Sequence, residues 1–284
     1  MVSVYTSMTR DIRIEIAGRL WRTNVMTKLG RVLAVSCWLA MAAMWVMPAA
    51  AQSAEMKEKP ALYTYVADWA IPRAQWGDED KLVASEQKML EKAMADGTIV
   101  AYGSDQNLIH RADGYTHDTF FSATSMAGLL HVLDQVYKSG VPTSPVQVNA
   151  SKHEDAVFVS HNYNWHSGAV KDGYTHGAIY KLKADAPDDA VETLSTSLIV
   201  PLMEKMLADG AISEYEVDTE AIHTDAPGTF FVFYIAPTAE GLDKVTAGLQ
   251  AALKANPLGG PAFESMVDST AHRDELARTS ATYK

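Results

Sequence analysis

The chain contains one segment twice, and this internal repeat limits its possible folds more than any other feature. Residues 91–110 (EKAMADGTIVAYGSDQNLIH) and residues 204–223 (EKMLADGAISEYEVDTEAIH) are identical at ten of twenty aligned positions. The offset is a constant 113 residues, which indicates duplication of a larger structural unit. The same kinds of strand and helix should therefore surround both copies.

The pattern of apolar residues predicts one order of elements around both copies, β-α-β-β-α-β. In the first unit (62–165) we expect strands at 62–70, 99–110, 119–124 and 156–165, with helices capped by Asp78 and Ser125. In the second unit (175–284) we expect strands at 175–182, 212–223, 229–235 and 276–283, with helices starting at Asp188 and at Pro237-Thr238. Asp-Gly pairs should end the first helix of each unit, and Pro201 should kink one of them. Each unit then has the ferredoxin-like arrangement.

The strands carry large residues on both faces, although helices cover only one face of each four-stranded sheet. The uncovered faces are therefore expected to pack on each other. With this element order and the repeat, residues 62–284 resemble the dimeric α/β-barrel superfamily, with its two units fused in one chain. The fold class that this resemblance implies is α+β, a pseudo-dimeric α/β barrel built from tandem units. The superfamily includes cofactor-free monooxygenases, EthD-like and NIPSNAP-like proteins, and haem-binding chlorite-dismutase-like enzymes. The resemblance implies a ligand cavity between the two sheets.

The first 51 residues are typical of a secretory signal rather than of the fold. Six basic residues precede an apolar run at 32–46, and Ala49-Ala50-Ala51 follows. This pattern predicts cleavage after Ala51 and a periplasmic or secreted protein. Translation from Met26 would give a shorter, more usual leader. A retained membrane anchor is the alternative, because the apolar run is near spanning length.

Removal of this segment makes the chain strongly acidic. Basic residues fall from 24 to 18 and acidic residues from 35 to 33, which leaves a net charge of −15. We therefore expect neither nucleic acid nor, after signal cleavage, a membrane surface as a partner. Cys37 is the only cysteine, so residues 52–284 contain no disulfide and no thiolate metal site. The sequence leaves open whether the two units associate further as a homodimer.

The repeat supplies the first candidate site residues. If Ile99 and Ile212 face the helices, strand alternation turns Tyr102 and His110 toward the barrel interior, and Tyr215 and His223 likewise. The functional interpretation is a lining of tyrosine and histidine, with histidine as the proton-transfer group. The alternative is that the duplication copied a packing tyrosine and a strand-end histidine.

A second candidate is the pentapeptide Asp-Gly-Tyr-Thr-His, which occurs at 113–117 and again at 172–176. The two copies lead into strands of different units, so they could approach each other at the mouth of the barrel. Tyr115, His117, Tyr174 and His176 would then line an entrance or hold a metal. A coincidence of common turn residues is the alternative.

A third candidate is the segment 160–166 (SHNYNWH), where alternation places His161 and Tyr163 on one face. We expect both to line the site, with His161 as a further proton-transfer group and Tyr163 as a ligand-binding residue. His161 and His166 have a separation found in some zinc sites, but on a strand they point to opposite faces. His117, His166 and His176 are the weak metal candidates. Haem is a related alternative, since barrels of this superfamily bind it through one histidine and His131 is the only histidine on a predicted helix.

Other signatures are missing, and most carboxylates lie on predicted helix faces or in loops. No G-x-S-x-G, H-E-x-x-H, P-loop or G-x-G-x-x-G motif is present. Asp68 is the exception among the carboxylates, because it interrupts an otherwise apolar strand, and we take it as a ligand-binding candidate. The long loops 139–155 and 256–272 occupy equivalent places and have the length of lids or binding elements.

These observations leave three functions open. The first is an exported small-molecule-binding protein, which would take an apolar or aromatic compound between the sheets and act on it without a cofactor if it is an enzyme. The second is a haem or metal protein that uses the histidines. The third is a non-catalytic binding or assembly module whose barrel is packed core. No cofactor is favoured, and the ligand is not specified.

Overall fold

The computed structural model describes residues 59–110, 114–224 and 226–284. The predicted signal sequence, 1–51, lies outside the described residues. Within the described ranges, eight antiparallel strands form one closed barrel, as the resemblance implied. No helix in this part of the chain has the length and apolar character to span a membrane.

The described elements follow the predicted order. The strands are β1 (Leu62–Trp69), β2 (Ala101–Asn107), β3 (His117–Ala123), β4 (His153–Trp165), β5 (Gly168–Lys181), β6 (Glu214–Ile222), β7 (Thr229–Ala236) and β8 (Arg273–Tyr283). The α-helices are α1 (Trp76–Ala95), α2 (Met126–Ser139), α3 (Pro145–Val148), α4 (Ala190–Leu194), α5 (Val200–Ala208), α6 (Ala239–Ala255) and α7 (Gly259–Met266).

The order of strands around the barrel is β1-β3-β2-β8-β5-β7-β6-β4, and β4 pairs with β1 to close it. The pairs β2–β8 and β4–β6 join the first four strands to the last four. Closure leaves none of the eight strands with an unpaired edge. The inner faces of all eight strands therefore surround a single interior, which is where a ligand site is expected.

The helix ends follow the predicted local chemistry at most positions. The Ser125 and Thr238 side chains each accept a hydrogen bond from the backbone amide three residues further on, at the starts of α2 and α6. Gly97 and Gly210 follow α1 and α5 with φ of 86° and 67°, a conformation that glycine adopts without strain.

Two predicted helix starts and two predicted loops need correction. Helix α1 begins at Trp76, so Asp78 lies in its first turn, and Asp189 rather than Asp188 precedes α4. The regions 139–155 and 256–272 contain the helices α3 and α7. The predicted break at Pro201 is present, because a π-helical turn at Ser195–Ile199 separates α4 from α5. Proline has no N–H to continue the α-helical bonding there.

The main apolar core lies outside the barrel, between the strands and the helices. Ile99, Phe121 and Leu129 belong to the cluster under α1 and α2, and Ile212 and Phe230 to the one under α5 and α6. Burial of each such side chain contributes about 1.5–3 kcal/mol to folding. Because these clusters hold the helices to the outer face, the inner face is free to carry other residues.

Candidate functional site

A cavity of about 380 Å³ lies inside the barrel. Tyr283 lines one end of it, and the rings of Trp165 and Tyr163 continue from Tyr283 with successive centroids 5.5 and 5.3 Å apart. The Tyr163 hydroxyl donates a hydrogen bond to the Pro60 carbonyl (2.9 Å), so the chain before β1 also covers this end. The other end is lined by exposed residues such as Ile109 and Glu154. We call these two ends the floor and the mouth.

One side of the cavity is a column of carboxylates on β6. Glu214, Glu216, Asp218 and Glu220 occupy every second position of this strand and line the cavity from floor to mouth. These four residues are only 3%, 6%, 1% and 8% exposed, in that order. Strand alternation turns the residues between them toward the helices. The column therefore places four buried acidic groups along one side of the cavity.

A second set of carboxylates forms a row that runs across the strands β2, β3, β1 and β4 instead of along one strand. Asp118 on β3 is paired directly with Asp68 on β1 and with Asp105 on β2, and Asp68 is paired directly with Glu154 on β4. All four residues line the cavity. Like charges directly opposite on paired strands repel each other, so ionisation of this row costs stability.

Burial shifts the acidity of these groups in one direction. Loss of hydration raises the pKa of Asp105 to about 6 and of Glu216 to about 7. Burial, followed by repulsion from Glu275 and Glu154, raises the pKa of Asp68 to about 8. Burial and neighbouring carboxylates also raise the pKa of the remaining inner groups well above their ordinary values, namely Asp118, Glu214 and Asp218.

Hydrogen bonds satisfy only part of the cluster. Asp105 accepts hydrogen bonds from the hydroxyls of Thr175 (3.3 Å) and Thr279, and Glu216 accepts one from Thr64 (3.3 Å). By contrast, Glu214 Oε1 and Asp218 Oδ1 are buried without a hydrogen-bond partner in the described part of the chain. Most buried polar atoms in folded proteins have such a partner, so these two oxygens require an explanation.

The wall beside the acidic column is aromatic. The rings of Phe158, Phe231 and Phe233 lie with centroids 4.7 to 5.9 Å apart. Phe231 is paired directly with Asp218, and Phe233 with Glu216. The cavity therefore presents a charged strand and an apolar strand side by side.

The predicted inward orientation of Tyr102 and Tyr215 is wrong. Both side chains belong to the apolar clusters beneath the helices. The prediction from strand alternation failed because Ile99 and Ile212 do not lie in the strands. Their backbone amides donate hydrogen bonds to the carbonyls of Ala93 and Met206 at the helix ends. Strands β2 and β6 begin only at Ala101 and Glu214, which reverses the faces.

The predicted histidine lining is also wrong. His110 lies beyond the end of β2 and stacks on Trp76, with ring centroids 5.7 Å apart. His223 follows β6 and is exposed, and His161 is exposed as well. A register shift between Ser160 and Asn162 inserts His161 as an extra residue, and such bulges change the face that later residues occupy. None of the described residues that line the cavity is a histidine.

The same bulge places Tyr163 on the inner side. Tyr163 is paired directly with Glu216, whose side chain lines the cavity, and directly paired residues share a face of the sheet. Tyr163 therefore faces the inside of the barrel at the floor end, but it is not one of the residues that line the cavity. Its predicted role in ligand binding stays a prediction.

The repeated pentapeptide contributes one residue to the mouth. Tyr115 lines the cavity there, and its hydroxyl donates a hydrogen bond to Glu154 (2.6 Å). His117 is buried on the outer face against Trp76, and burial lowers the pKa of its imidazole to about 4. Tyr174 lies under the Arg278 guanidinium (4.4 Å), outside the cavity lining. The expected grouping of the two copies is thus not present.

The remaining histidine candidates do not form a metal site in the described residues. No group of three or more histidine, aspartate or glutamate side chains there has the arrangement to hold a metal ion. His166 Nε2 contacts the Leu207 carbonyl oxygen (2.9 Å), and His176 stacks on Tyr234 (5.0 Å).

The histidines of the described residues do not supply the predicted haem ligand inside the barrel either. His131, the helical candidate, is exposed on α2 and its Nε2 is hydrogen-bonded to Gln135 (2.8 Å). A haem-binding pocket needs an axial donor that faces a cavity. The histidines in the described ranges do not meet that requirement inside the barrel.

Sequence reasoning singled out Asp68 as a ligand-binding candidate, and Asp68 lines the cavity, but the other carboxylates were missed. The signal was available, because acidic residues alternate with apolar or small ones from Glu214 to Glu220 on a predicted strand. Asp105 and Asp218 are also equivalent and identical in the repeat, and both line the cavity.

Two solved structures with TM-scores above 0.5 share this architecture. A candidate monooxygenase from Lactobacillus acidophilus NCFM has a TM-score of 0.57 at 11% identity, with 79% of this chain and 97% of that chain covered. A candidate monooxygenase from Fusobacterium nucleatum has a TM-score of 0.57 at 8% identity, with 79% and 95% covered. A chlorite dismutase variant from Candidatus Nitrospira defluvii, solved with cyanide, has a TM-score of 0.43 at 12% identity, with 76% and 90% covered.

No protein-family model matches the chain, and no curated protein sequence matches it. At these identities, structural likeness shows the fold alone. The chain has the fold of the dimeric α/β-barrel superfamily, with a mixed α/β architecture and a closed antiparallel barrel of eight described strands. The interior of this barrel is lined by the acidic groups described above.

Proposed function

We propose that this protein is an exported small-molecule-binding protein whose ligand lies inside the barrel. The observation that carries the proposal is the cavity of about 380 Å³, which is open at one end and combines polar and aromatic walls. Cavities of this size with a few polar groups are typical of ligand sites. A barrel that served only as packed core would be filled by side chains.

The origin of the barrel and the location of the protein complete this proposal. A tandem duplication of a ferredoxin-like unit accounts for the sequence repeat and for two equivalent sets of four strands. The leader at 1–51 would direct the chain to the periplasm or outside the cell. All eight barrel strands come from one chain, so a homodimer, if it forms, is not required to complete the cavity.

A cavity-filling substitution tests the proposed site. Ala277 is buried and lines the cavity, so Ala277→Phe places a ring inside it. N-phenyl-1-naphthylamine, a neutral dye that fluoresces in apolar surroundings, serves as the probe. We expect saturable binding of one dye per chain to the wild type and at least tenfold weaker binding to the variant.

The matched control is Ala252→Phe, which adds the same ring on the exposed surface of α6. It should bind the dye like the wild type. Circular dichroism confirms that each variant is folded. If the wild type does not bind the dye, or if both variants bind it equally well, the interior is not the site.

A second candidate, a cofactor-free enzyme, is favoured by Asp68. Its pKa of about 8 suits a group that gains and loses a proton near neutral pH, and its side chain lines the cavity. The test is to return the compound recovered from the purified protein to the wild type and to Asp68→Asn. A change in the compound's mass with the wild type alone supports catalysis, and an unchanged mass with both proteins supports binding only.

A further inference from the structure

Two buried oxygen atoms of the acidic column indicate the charge of the ligand. Glu214 Oε1 and Asp218 Oδ1 have no hydrogen-bond partner in the described structure, and their residues are 3% and 1% exposed. Both side chains line the cavity. A carboxylate oxygen in this position is best satisfied by a cationic N–H donor, which forms the stronger, charge-assisted type of hydrogen bond.

The spacing of the column indicates the shape of that cation. Alternate residues of a strand are about 7 Å apart, so Glu214, Glu216 and Asp218 present acidic groups at regular intervals. The two nitrogens of an extended four-carbon diamine are about 6 Å apart, given single bonds near 1.5 Å. Each ammonium group of such a chain could therefore meet a different carboxylate of β6.

The neighbouring strand suits the rest of the same molecule. Phe231 and Phe233 lie opposite Asp218 and Glu216, so an apolar wall accompanies the acidic column along its length. Methylene groups would contact these rings, and an ammonium group gains further from an aromatic face. A bare metal ion would use neither the regular spacing nor the aromatic wall, and the described carboxylates do not converge on a metal site.

We propose, on the basis of the proposed binding function, that the ligand is a linear aliphatic diamine or polyamine. Its ammonium groups would lie along the β6 carboxylates and its methylene groups against the phenyl rings of β7. The excess of carboxylates over the charges of one ligand would be held as neutral carboxylic acids. Because the site combines phenyl rings with carboxyl groups, it should favour such amines over metal ions, which have no methylene groups to contact the rings.

Isothermal titration calorimetry of the purified full chain tests this inference. The probes are spermidine, 1,4-diaminobutane, butylamine and 1,4-butanediol. We expect 1,4-diaminobutane to bind at least tenfold more tightly than butylamine, spermidine to bind at least as tightly as the diamine, and the diol not to bind. Equal binding of diamine and monoamine would overturn the inference, since the column would then not be recognised by its spacing.

Glu216→Gln is the informative variant, because it removes one charge of the column while keeping the size of the side chain. We expect it to weaken diamine binding about tenfold or more, as for loss of a hydrogen bond to a charged group. Glu91→Gln, the same change on the exposed surface of α1, should bind like the wild type. Similar losses in both variants would point to non-specific attraction by net charge and would contradict the site.

The dye experiment separates the two proposals. Dye binding that depends on the cavity, together with absence of amine binding, would overturn the amine inference and leave the binding function standing. Absence of dye binding together with absence of amine binding would overturn both proposals. Displacement of the dye by 1,4-diaminobutane, and not by 1,4-butanediol, would place the amine in the same cavity.

Discussion

The most informative single perturbation is Glu216→Gln, measured as a function of pH in ligand-free protein. Burial raises the pKa of Glu216 to about 7, whereas a glutamate in the unfolded chain titrates at about 4.3. Between these pH values the folded protein binds more protons than the unfolded one. The free energy of unfolding therefore falls as the pH rises through this window.

The magnitude follows from the size of the pKa shift. One pKa unit corresponds to about 1.4 kcal/mol, so the whole shift at Glu216 amounts to roughly 4 kcal/mol of lost stability well above pH 7, most of it between pH 4 and pH 8. Glutamine does not titrate. Relative to the wild type, Glu216→Gln should therefore be about 3 kcal/mol more stable at pH 8 than at pH 4. The cost of burying the glutamine side-chain amide is the same at both pH values, so it cancels in this comparison.

Urea unfolding of both proteins at several pH values, followed by circular dichroism, provides the measurement. Glu91→Gln, on an exposed helix surface, is the control and should follow the wild type at every pH. A Glu216→Gln effect that is the same at pH 4 and pH 8, or one that is less favourable at pH 8, would refute the account of the acidic interior.

Four further predictions concern the fold and the leader. Ser125→Ala removes the cap of α2 and should cost about 1 kcal/mol of stability in urea unfolding. Phe230→Ala empties a fully buried site and should cost about 3–5 kcal/mol by the same assay. Tyr163→Phe leaves the Pro60 carbonyl without its donor and should cost about 1 kcal/mol. Mass spectrometry of the exported protein should find Gln52 as its first residue, and an intact leader would contradict the predicted signal cleavage.

The order of strands and helices along the chain could be predicted from the sequence because its signals are local and occur twice. Strand alternation, the glycine after each first helix and the repeat at constant offset all depend on neighbouring residues, and they gave the element order. The closing strand pairs, β2–β8 and β4–β6, join residues far apart in sequence. They were expected only from the resemblance to a known superfamily.

The site was harder to predict because it depends on which face each residue occupies. Ile99 and Ile212 belong to the turns that end the preceding helices and not to β2 and β6. The predicted orientation of Tyr102 and Tyr215 was therefore reversed. One bulge near His161 changed the faces of β4. Neither feature has a clear signature in the sequence. The alternation of acids along β6 does have one, but carboxylates mostly lie in solvent, so the pattern alone does not indicate an inward-facing row.

A crystal structure grown with 1,4-diaminobutane tests most directly the claim that the barrel interior is a binding site for a cationic ligand. The account predicts density for the diamine inside the barrel, with its nitrogens beside carboxylates of β6 and its methylene groups against Phe231 and Phe233. Diamine bound only on the outer surface, or a barrel interior filled by protein side chains, would contradict it.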